Sequence, residues 1–575
     1  MSSALDKTAS RSVAQAYLAL LADRGVDYLF GNAGTDFTPI IEAYAGMAQS
    51  GEAFPRPIVA THENLAVTMA HGYGMVSRRI PAVMAHVSVG TANMICAAMN
   101  AARENVAILL TAGRSPLTET GLLGSRDGYI HWAQEMFDQA GMLREIVKWD
   151  YELRNAEQLV TVVDRALAIA ATEPRGPVYL SLPREVIAAP FSGDTRPAVS
   201  RLRPAASAAP DANAIAEAAN VLTRAKRPLI VTSNAGREAA AFVALAEFTE
   251  RFAIPLAQFR PRYLSLPSSH PMNLGYAPGR LVPNVDAILV IECDVPWIPR
   301  LASPGRDCTI IHCGLDPLFS RYPIRNFPGD ITITGTTVAT LSGLTAALEE
   351  KRDAEAVELR RRWIREERTA LTAGWKAVLE GAARKHPLDP AWVSYCIEQA
   401  KDSNCIVVNE YTLFFEHCSF ESPDLYFGSS SASGLGWGAG AALGAKLAKP
   451  DSPVMAVLGD GAYMFSNPAA VHHAAALHEL PVLFVVMNNN MWGAVERSTL
   501  AMYPDGRAAK SNETTFIQLG KLPAFEEICK AAGGHGERVD DPASLPAALE
   551  RAMSVVKIER RQALLNVICG PGGTA

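Results

Sequence analysis

The sequence predicts an α/β fold of doubly wound parallel sheets in several domains, and three observations carry the prediction. Short runs rich in Val, Ile and Leu alternate with Ala-rich stretches of helical period, the pattern of parallel strands covered by helices. The 575 residues are several times the usual domain size, so three to four domains are expected. A content of 49% hydrophobic and 19% charged residues suits a large buried core and excludes a disordered chain.

The same arithmetic narrows the partners. A net charge of −6 supplies no basic field for nucleic acid. The nine cysteines are scattered and form no CxxC pair, so they read as reduced core residues. The N-terminal residues lack a charged segment followed by an apolar run, and no stretch approaches 18 uninterrupted apolar residues. The expectation is a cytoplasmic protein with a small-molecule substrate and no membrane partner.

Taken in order, residues 8–190 form a first α/β domain with strands expected at 26–30, 57–60, 81–86, 106–111 and 177–182, and with a helix starting near Asn64. Residues 191–211, rich in Pro, Ala and Ser, read as a linker. A central domain over 212–350 has strands at 228–232, 286–291 and 308–312. The charged stretch 351–387 reads as a solvated helical connector. The last domain, 388–575, has strands at 405–408, 454–458, 481–487 and 563–567.

That last domain carries the densest motifs. Val454-Met-Ala-Val-Leu-Gly459-Asp460-Gly461 is an apolar strand ending in a carboxylate, and open α/β sheets bind ligands at that edge. A second apolar run from Pro481 ends in Asn488-Asn489-Asn490. One carboxylate, an amide oxygen and a backbone carbonyl are the oxygen donors that magnesium takes beside a ligand's phosphates. Each motif alone reads as a turn or loop; the pair at this spacing points to a metal and phosphate site.

The pair resembles the diphosphate-and-metal motif of thiamin diphosphate enzymes, the family of acetolactate synthase, benzoylformate decarboxylase and 2-hydroxyacyl-CoA lyase. The resemblance implies a pyrimidine-binding, a central and a diphosphate-binding domain, with thiamin diphosphate and Mg2+ as cofactors. Asp460, Asn489 and the Met491 carbonyl are the implied metal ligands, counted forward from Pro481, with Asn488 as the alternative amide. Gly459, Gly461 and Ala462 complete the implied diphosphate loop.

In the first domain, Val59-Ala-Thr-His-Glu63-Asn-Leu-Ala66 resembles the strand–Glu–helix element of the same family. Glu63 is then the carboxylate set against the cofactor's pyrimidine ring, where it favours the tautomer that removes the thiazolium proton. Outside that context a Glu at a helix start compensates the helix dipole. Gly434-Leu435-Gly436-Trp437-Gly438-Ala439 resembles the loop bearing the hydrophobic wedge under the bent cofactor, with Leu435 as the wedge and Gly434 beside the cofactor. It also satisfies a dinucleotide fingerprint, which would make this a nucleotide-binding oxidoreductase, but no strand runs directly into it.

Four places look like those of benzoylformate decarboxylases. In Gly31-Asn32-Ala33-Gly34-Thr35, Ala33 replaces a Pro and Thr35 replaces the active-site Ser, while Gly34 lies on the cofactor. His86, in Ala85-His86-Val-Ser-Val-Gly90, matches a proton-shuttling histidine, and His270 of Ser269-His270-Pro271 stands at the place of a second one. Val407-Val-Asn409-Glu410-Tyr411-Thr412 is similar to their Asn-Glu-Ser-Thr strand end. Other features depart. Gln134-Glu135 is closer to the Phe-Gln-Glu of acetolactate synthases, and Glu496, beyond the metal loop, is either an acid–base group or a solvated helix carboxylate paired with an Arg. Arg507 and Lys510 are candidates to grip an anionic substrate. Arg260, Arg262, Arg280 and Arg300 lie in the domain that binds FAD or the ADP part of coenzyme A in some relatives.

The implied reaction is carbon–carbon bond cleavage through an enamine carbanion held on the cofactor. Nonoxidative decarboxylation of a 2-oxo acid ranks first, then cleavage of a 2-hydroxyacyl-CoA, then acetolactate-synthase-type carboligation. Family architecture implies a homodimer as the minimal active unit and a homotetramer as the assembly.

Overall fold

The computed structural model describes residues 11–192, 202–511 and 515–570. Residues 1–10 of the N-terminal stretch read for a targeting segment and residues 193–201 of the linker therefore lie outside the described residues. Three parallel sheets follow one another along the chain. The first has strands β1 (Tyr28–Gly31), β2 (Arg56–Val59), β3 (Ala82–Ala85), β4 (Leu109–Arg114), β5 (Asp150–Glu152) and β6 (Val178–Pro183), in the order β2-β1-β3-β4-β6-β5. Helix α1 (Glu63–Ser77) follows β2, and α2 (Val87–Arg103) follows β3.

The second sheet has β7 (Pro228–Thr232), β8 (Leu256–Gln258), β9 (Ala287–Ile291), β10 (Thr309–Gly314) and β11 (Ile331–Thr334), ordered β11-β10-β9-β7-β8. Helix α3 (Ala354–Ala382) follows it. The third has β12 (Ile406–Glu410), β13 (Tyr426–Gly428), β14 (Val454–Gly459), β15 (Leu483–Asn488), β16 (His535–Val539) and β17 (Ala563–Ile568), ordered β13-β12-β14-β15-β17-β16. Here α4 (Trp437–Ala448) precedes β14 and α5 (Gly493–Met502) follows β15. Every ladder between these strands is parallel, as strands buried on both faces by crossover helices require.

The sequence reading passed over β5, β8, β11, β13 and β16, and all five stand at sheet edges. An edge strand pairs on one side only and needs no unbroken apolar run. β11 alternates buried and exposed residues, and β5 is half-buried throughout. The interior strands, such as β7 and β9, are wholly buried and carry the hydrophobic signal.

The connector also differs from its solvated reading. One face of α3 joins the central core through Val357 and Ile364. Between them the buried Arg360 donates to the carbonyls of Leu222, Ala225 and Phe252, which end two central-domain helices. A guanidinium there satisfies carbonyls that have no partner within their own helices.

The described chain divides into two compact units. One joins Met1–Ala206 with Ser430–Asp451 and Met464–Leu480; the other holds Ser207–Ser429, Ser452–Tyr463 and Pro481–Ala575. In the first, α4 packs against α1. Gly72 and Gly444 lie at that crossing, where a Cβ on either would stand about 2 Å from backbone of the facing helix, at 2.1 Å from the Ala441 oxygen and 1.9 Å from the Met69 oxygen. Among the described residues, no helix is long and apolar enough to cross a membrane.

Candidate active site

In the first unit, Glu63 opens α1 and is 5% exposed. The side chain of His62 caps the helix, its Nδ1 accepting from the Asn64 amide. Two amides hold the Glu63 carboxylate: Asn32 Nδ2 donates to Oε1 and Asn93 Nδ2 to Oε2, each at 2.9 Å. Gly90 leaves the space, since a Cβ there would come within 3.1 Å of Glu63 Oε1.

His86 directly follows β3 and stands at the N-cap of α2. Its Nδ1 lies 2.5 Å from Asp36 Oδ1, and its Nε2 lies 3.3 Å from Gln134 Nε2. The hydrogen bond to Asp36 raises its pKa above the ordinary imidazole value, against the opposing effect of burial. Gln134 is positioned from the other side, its carbonyl accepting from Ser88 Oγ at 2.7 Å. Thr35 lies exposed on the turn after β1, with its carbonyl accepting from Thr38. Gly34 faces the His86 ring at a distance that admits no side chain.

Helix α2 ties these parts together. Its cap His86 and its residues Asn93 and Asn100 are spaced by seven, two helical turns, and so share one face. His86 meets Asp36, Asn93 meets Glu63, and Asn100 clasps Gly434, donating to its carbonyl at 2.8 Å and accepting from its amide at 3.0 Å. Leu435, half-buried, follows directly. The glycines that resembled a dinucleotide fingerprint serve packing instead. Gly436 caps α4 in the left-handed region at φ 82°, and Gly440 faces Thr68 of α1.

In the second unit, Asp460 follows β14 and is 3% exposed. Its Oδ1 accepts from the Gly461 amide at 2.8 Å and its Oδ2 from the Asn490 amide at 2.6 Å. Burial raises its pKa, and the surrounding backbone amides oppose the rise. Asn488 is committed to structure, its Nδ2 donating to Asn566 and its Oδ1 accepting from the Asn490 amide. Asn489 is half-buried beyond the strand, its Oδ1 accepting from the Met491 amide. The Trp492 ring closes over Gly461, where a Cβ would approach to 2.2 Å. Among the described residues, no three His, Cys, Asp or Glu side chains gather as a metal-ligand set. A cation at Asp460 would therefore rest on one carboxylate and neutral oxygens, a donor set that fits Mg2+.

Other residues singled out in the sequence stand apart from these groups. The Nδ1 of His270 accepts from the Met272 amide, and its carbonyl accepts from Arg368 of α3, which gives it a structural task in its own turn. Glu496 sits half-exposed on α5, which buries no residue, and among the described residues it forms no ion pair, so the expected Arg partner is not found. Arg507 and Lys510 are exposed on a short helix. Of the central-domain arginines, Arg262 is buried against Asp294, Arg280 pairs with Glu367, and Arg300 donates to the Ala501 carbonyl at the end of α5. Sequence reasoning missed Asp36 and Asn100 and gave Asn93, within the His86 loop, no role of its own. The spacing of seven from His86 was the available signal for the two asparagines.

Comparison with known proteins gives a consistent answer. Three family models match, described as the thiamine pyrophosphate enzyme N-terminal TPP binding domain over residues 11–142, central domain over 215–344 and C-terminal TPP binding domain over 409–567. A probable 2-ketoarginine decarboxylase, AruI, of Pseudomonas aeruginosa is 29% identical over 524 residues, 88% of this chain and 87% of the relative. The acetolactate synthase large subunit of Haemophilus influenzae is 25% identical over 561 residues, 95% of this chain and 92% of the relative. The solved thiamine diphosphate-dependent 4-hydroxybenzoylformate decarboxylase of Rhodococcus jostii RHA1 superposes with a TM-score of 0.77 at 21% identity, covering 97% of this chain and 99% of that one, and shares the fold.

Proposed function

Because the chain belongs to the thiamine pyrophosphate enzyme family, matching the models of all three of its domains, we propose that it is a nonoxidative decarboxylase of a 2-oxo acid. When bound, the cofactor supplies the carbanion that attacks the 2-oxo carbonyl and the sink for the electron pair left when carbon dioxide departs. Asp460, Asn489 and the Met491 carbonyl would hold Mg2+ beside the diphosphate; Asn488, whose Nδ2 is tied to Asn566, is the alternative amide. Asn32 and Asn93 orient the Glu63 carboxylate for its bond to the pyrimidine. Leu435 would pack against the cofactor's rings. His86 delivers the proton that replaces the lost carboxyl group.

The observation that carries this reading is His86 on the helix whose next two turns hold Glu63, a histidine kept protonatable by a buried acid. A proton donor beside the reacting carbon favours protonation over attack on a second carbonyl. The similarity to a probable 2-ketoarginine decarboxylase supports the same choice. Carboligation is the second reading, favoured by Gln134-Glu135 and by the acetolactate synthase relative. Cleavage of a 2-hydroxyacyl-CoA ranks lower, since Arg262, Arg280 and Arg300 are already engaged within the chain. The proposed active unit is a dimer in which Glu63 of one subunit meets cofactor held by Asp460 of the partner subunit, and two dimers form the tetramer.

Product analysis by mass spectrometry tests the reading. Protein loaded with thiamin diphosphate and Mg2+ is offered benzoylformate, pyruvate and 2-ketoarginine in separate reactions. An aldehyde with one carbon fewer is expected from at least one, and Glu63→Gln lowers that rate by at least about 100-fold. Acetolactate from pyruvate with no aldehyde from any acid overturns decarboxylation in favour of carboligation.

A further inference from the structure

Asp36 lies one residue beyond Thr35 and outside every motif read from the sequence. It is 2% exposed, and both of its oxygens address one corner of the chain. Oδ1 meets His86 Nδ1 at 2.5 Å, and Oδ2 accepts from the Val87 amide at 3.3 Å. Val87 is held at φ 34°, a strained value for a β-branched residue and the kind of outlier that gathers at functional sites.

The pair sits in a fitted cradle. A Cβ on Gly34 would lie 2.2 Å from His86 Cγ, and one on Gly113 of β4 would lie 1.9 Å from Asp36 Oδ2. Backbone from two separate segments thus stands where side chains would push the acid and the ring apart.

On the far side of the ring, Nε2 faces the Gln134 amide, whose Oε1 is buried and has no hydrogen-bond partner among the described residues. With the Asp36 carboxylate on Nδ1, the neutral ring carries its proton there and offers a lone pair at Nε2, which the Gln134 NH2 group satisfies. The imidazolium instead presents an N–H at Nε2. Turning the amide end for end brings the partnerless Oε1 onto that N–H.

We propose that Asp36 is a positioning residue that fixes one His86 proton at Nδ1, and that Gln134 serves both states of Nε2 by turning its amide. In the proton-transfer step the Nε2–H bond breaks with its electron pair left on nitrogen. The proton passes to the carbanionic carbon of the reacting substrate, and the neutral ring later regains a proton from water. This deepens the decarboxylase reading and rests on it only for the kinetic consequence.

The charged neighbours agree with a retained proton. Asp36 and Glu63 favour the imidazolium, with Asp36 the stronger, while burial opposes it, and the nearby His131 has its own pKa lowered, by burial first and in part by His86. Arg184 faces Asp36 from the helix after β6, and Tyr179 of β6 faces it as a neutral phenol. Gln134 and Ser88 add no charge.

The test is NMR of the 15N-histidine-labelled apoprotein, with His86 assigned by its loss in His86→Gln. Expected are a neutral form protonated at Nδ1 and a pKa above the free imidazole value, which falls by about one unit in Asp36→Asn. In the loaded enzyme, Asp36→Asn lowers kcat about 10- to 100-fold with KM within about threefold, and the alkaline limb of its pH profile moves down with the pKa. Gln134→Leu lowers kcat and leaves the tautomer unchanged. A neutral Nε2–H tautomer, or a pKa at or below that of free imidazole, overturns the proposal even if Asp36→Asn does not fold. An Asp36→Asn pKa equal to wild type overturns it as well, and a wild-type kcat in Gln134→Leu overturns the amide's part. Should the NMR results hold while no 2-oxo acid is decarboxylated, the decarboxylase reading falls and the Asp36–His86 pair stands.

Discussion

His71 and His86 lie on the same unit and respond to pH in opposite senses. His71 is fully buried where α1 meets α4, its Nδ1 accepting from Trp437 Nε1 at 3.1 Å, and burial depresses its pKa to about 3. Its folded value lies below the unfolded one, so the unfolded state takes up a proton first as pH falls. The protein then loses about 1.4 kcal/mol per pH unit below the free imidazole value, down to the folded pKa. His71→Gln keeps an acceptor for Trp437 and removes the titration. Its melting temperature is expected to fall less than wild type between about pH 6 and 4; an equal fall refutes the assignment. For His86 the folded value is raised, so its pairing with Asp36 stabilises below the unfolded pKa and fades as pH climbs through the folded one. Glu63 and His86 were legible because each lies where a strand gives way to a helix, in a recognisable loop. Asp36 was not, because it acts across 50 residues of sequence.

Between elements, the crossing of α1 and α4 depends on absent side chains. Gly72→Ala or Gly444→Ala forces a methyl into facing backbone, a contact that no rotamer relieves. The expected cost is about 1–3 kcal/mol in urea unfolding, or loss of soluble protein. Gly374 is the contrast. It lies exposed within α3 with nothing within 4 Å of its Cβ position, so Gly374→Ala should stabilise by about 0.5–1 kcal/mol. A stabilising Gly72→Ala or a neutral Gly374→Ala contradicts this account. The glycine loop read as a possible nucleotide fingerprint is the same lesson, since sequence shows that side chains are missing and only the fold shows what occupies the space.

At the scale of the whole molecule, the proposed dimer predicts cover for apolar surface. Leu123 is 80% and Tyr129 91% exposed, and Phe137 is fully exposed, all on one segment of the first unit beside Gln134. Val89 and Met99 of α2 are exposed as well. A single chain that shows so much apolar side chain is poorly matched to water. Sedimentation velocity at micromolar concentration should therefore find a dimer or larger species. Leu123→Glu with Phe137→Glu should shift it toward monomer and lower activity with it; a wild-type monomer that is fully active refutes the shared site.

By itself the sequence determined the α/β class, the interior strands of all three sheets, and the loops carrying Glu63, His86, Asp460 and Asn489. Buried parallel strands are continuous apolar runs, and a loop that follows one falls at the ligand-binding edge. Only the tertiary structure decided the five edge strands, the half-buried face of α3, and the contacts of Asp36, Asn93 and Asn100. Those depend on which groups meet across the fold. Hydrogen bonds between distant residues leave no period in the sequence, whereas the burial of a strand or a helix face does.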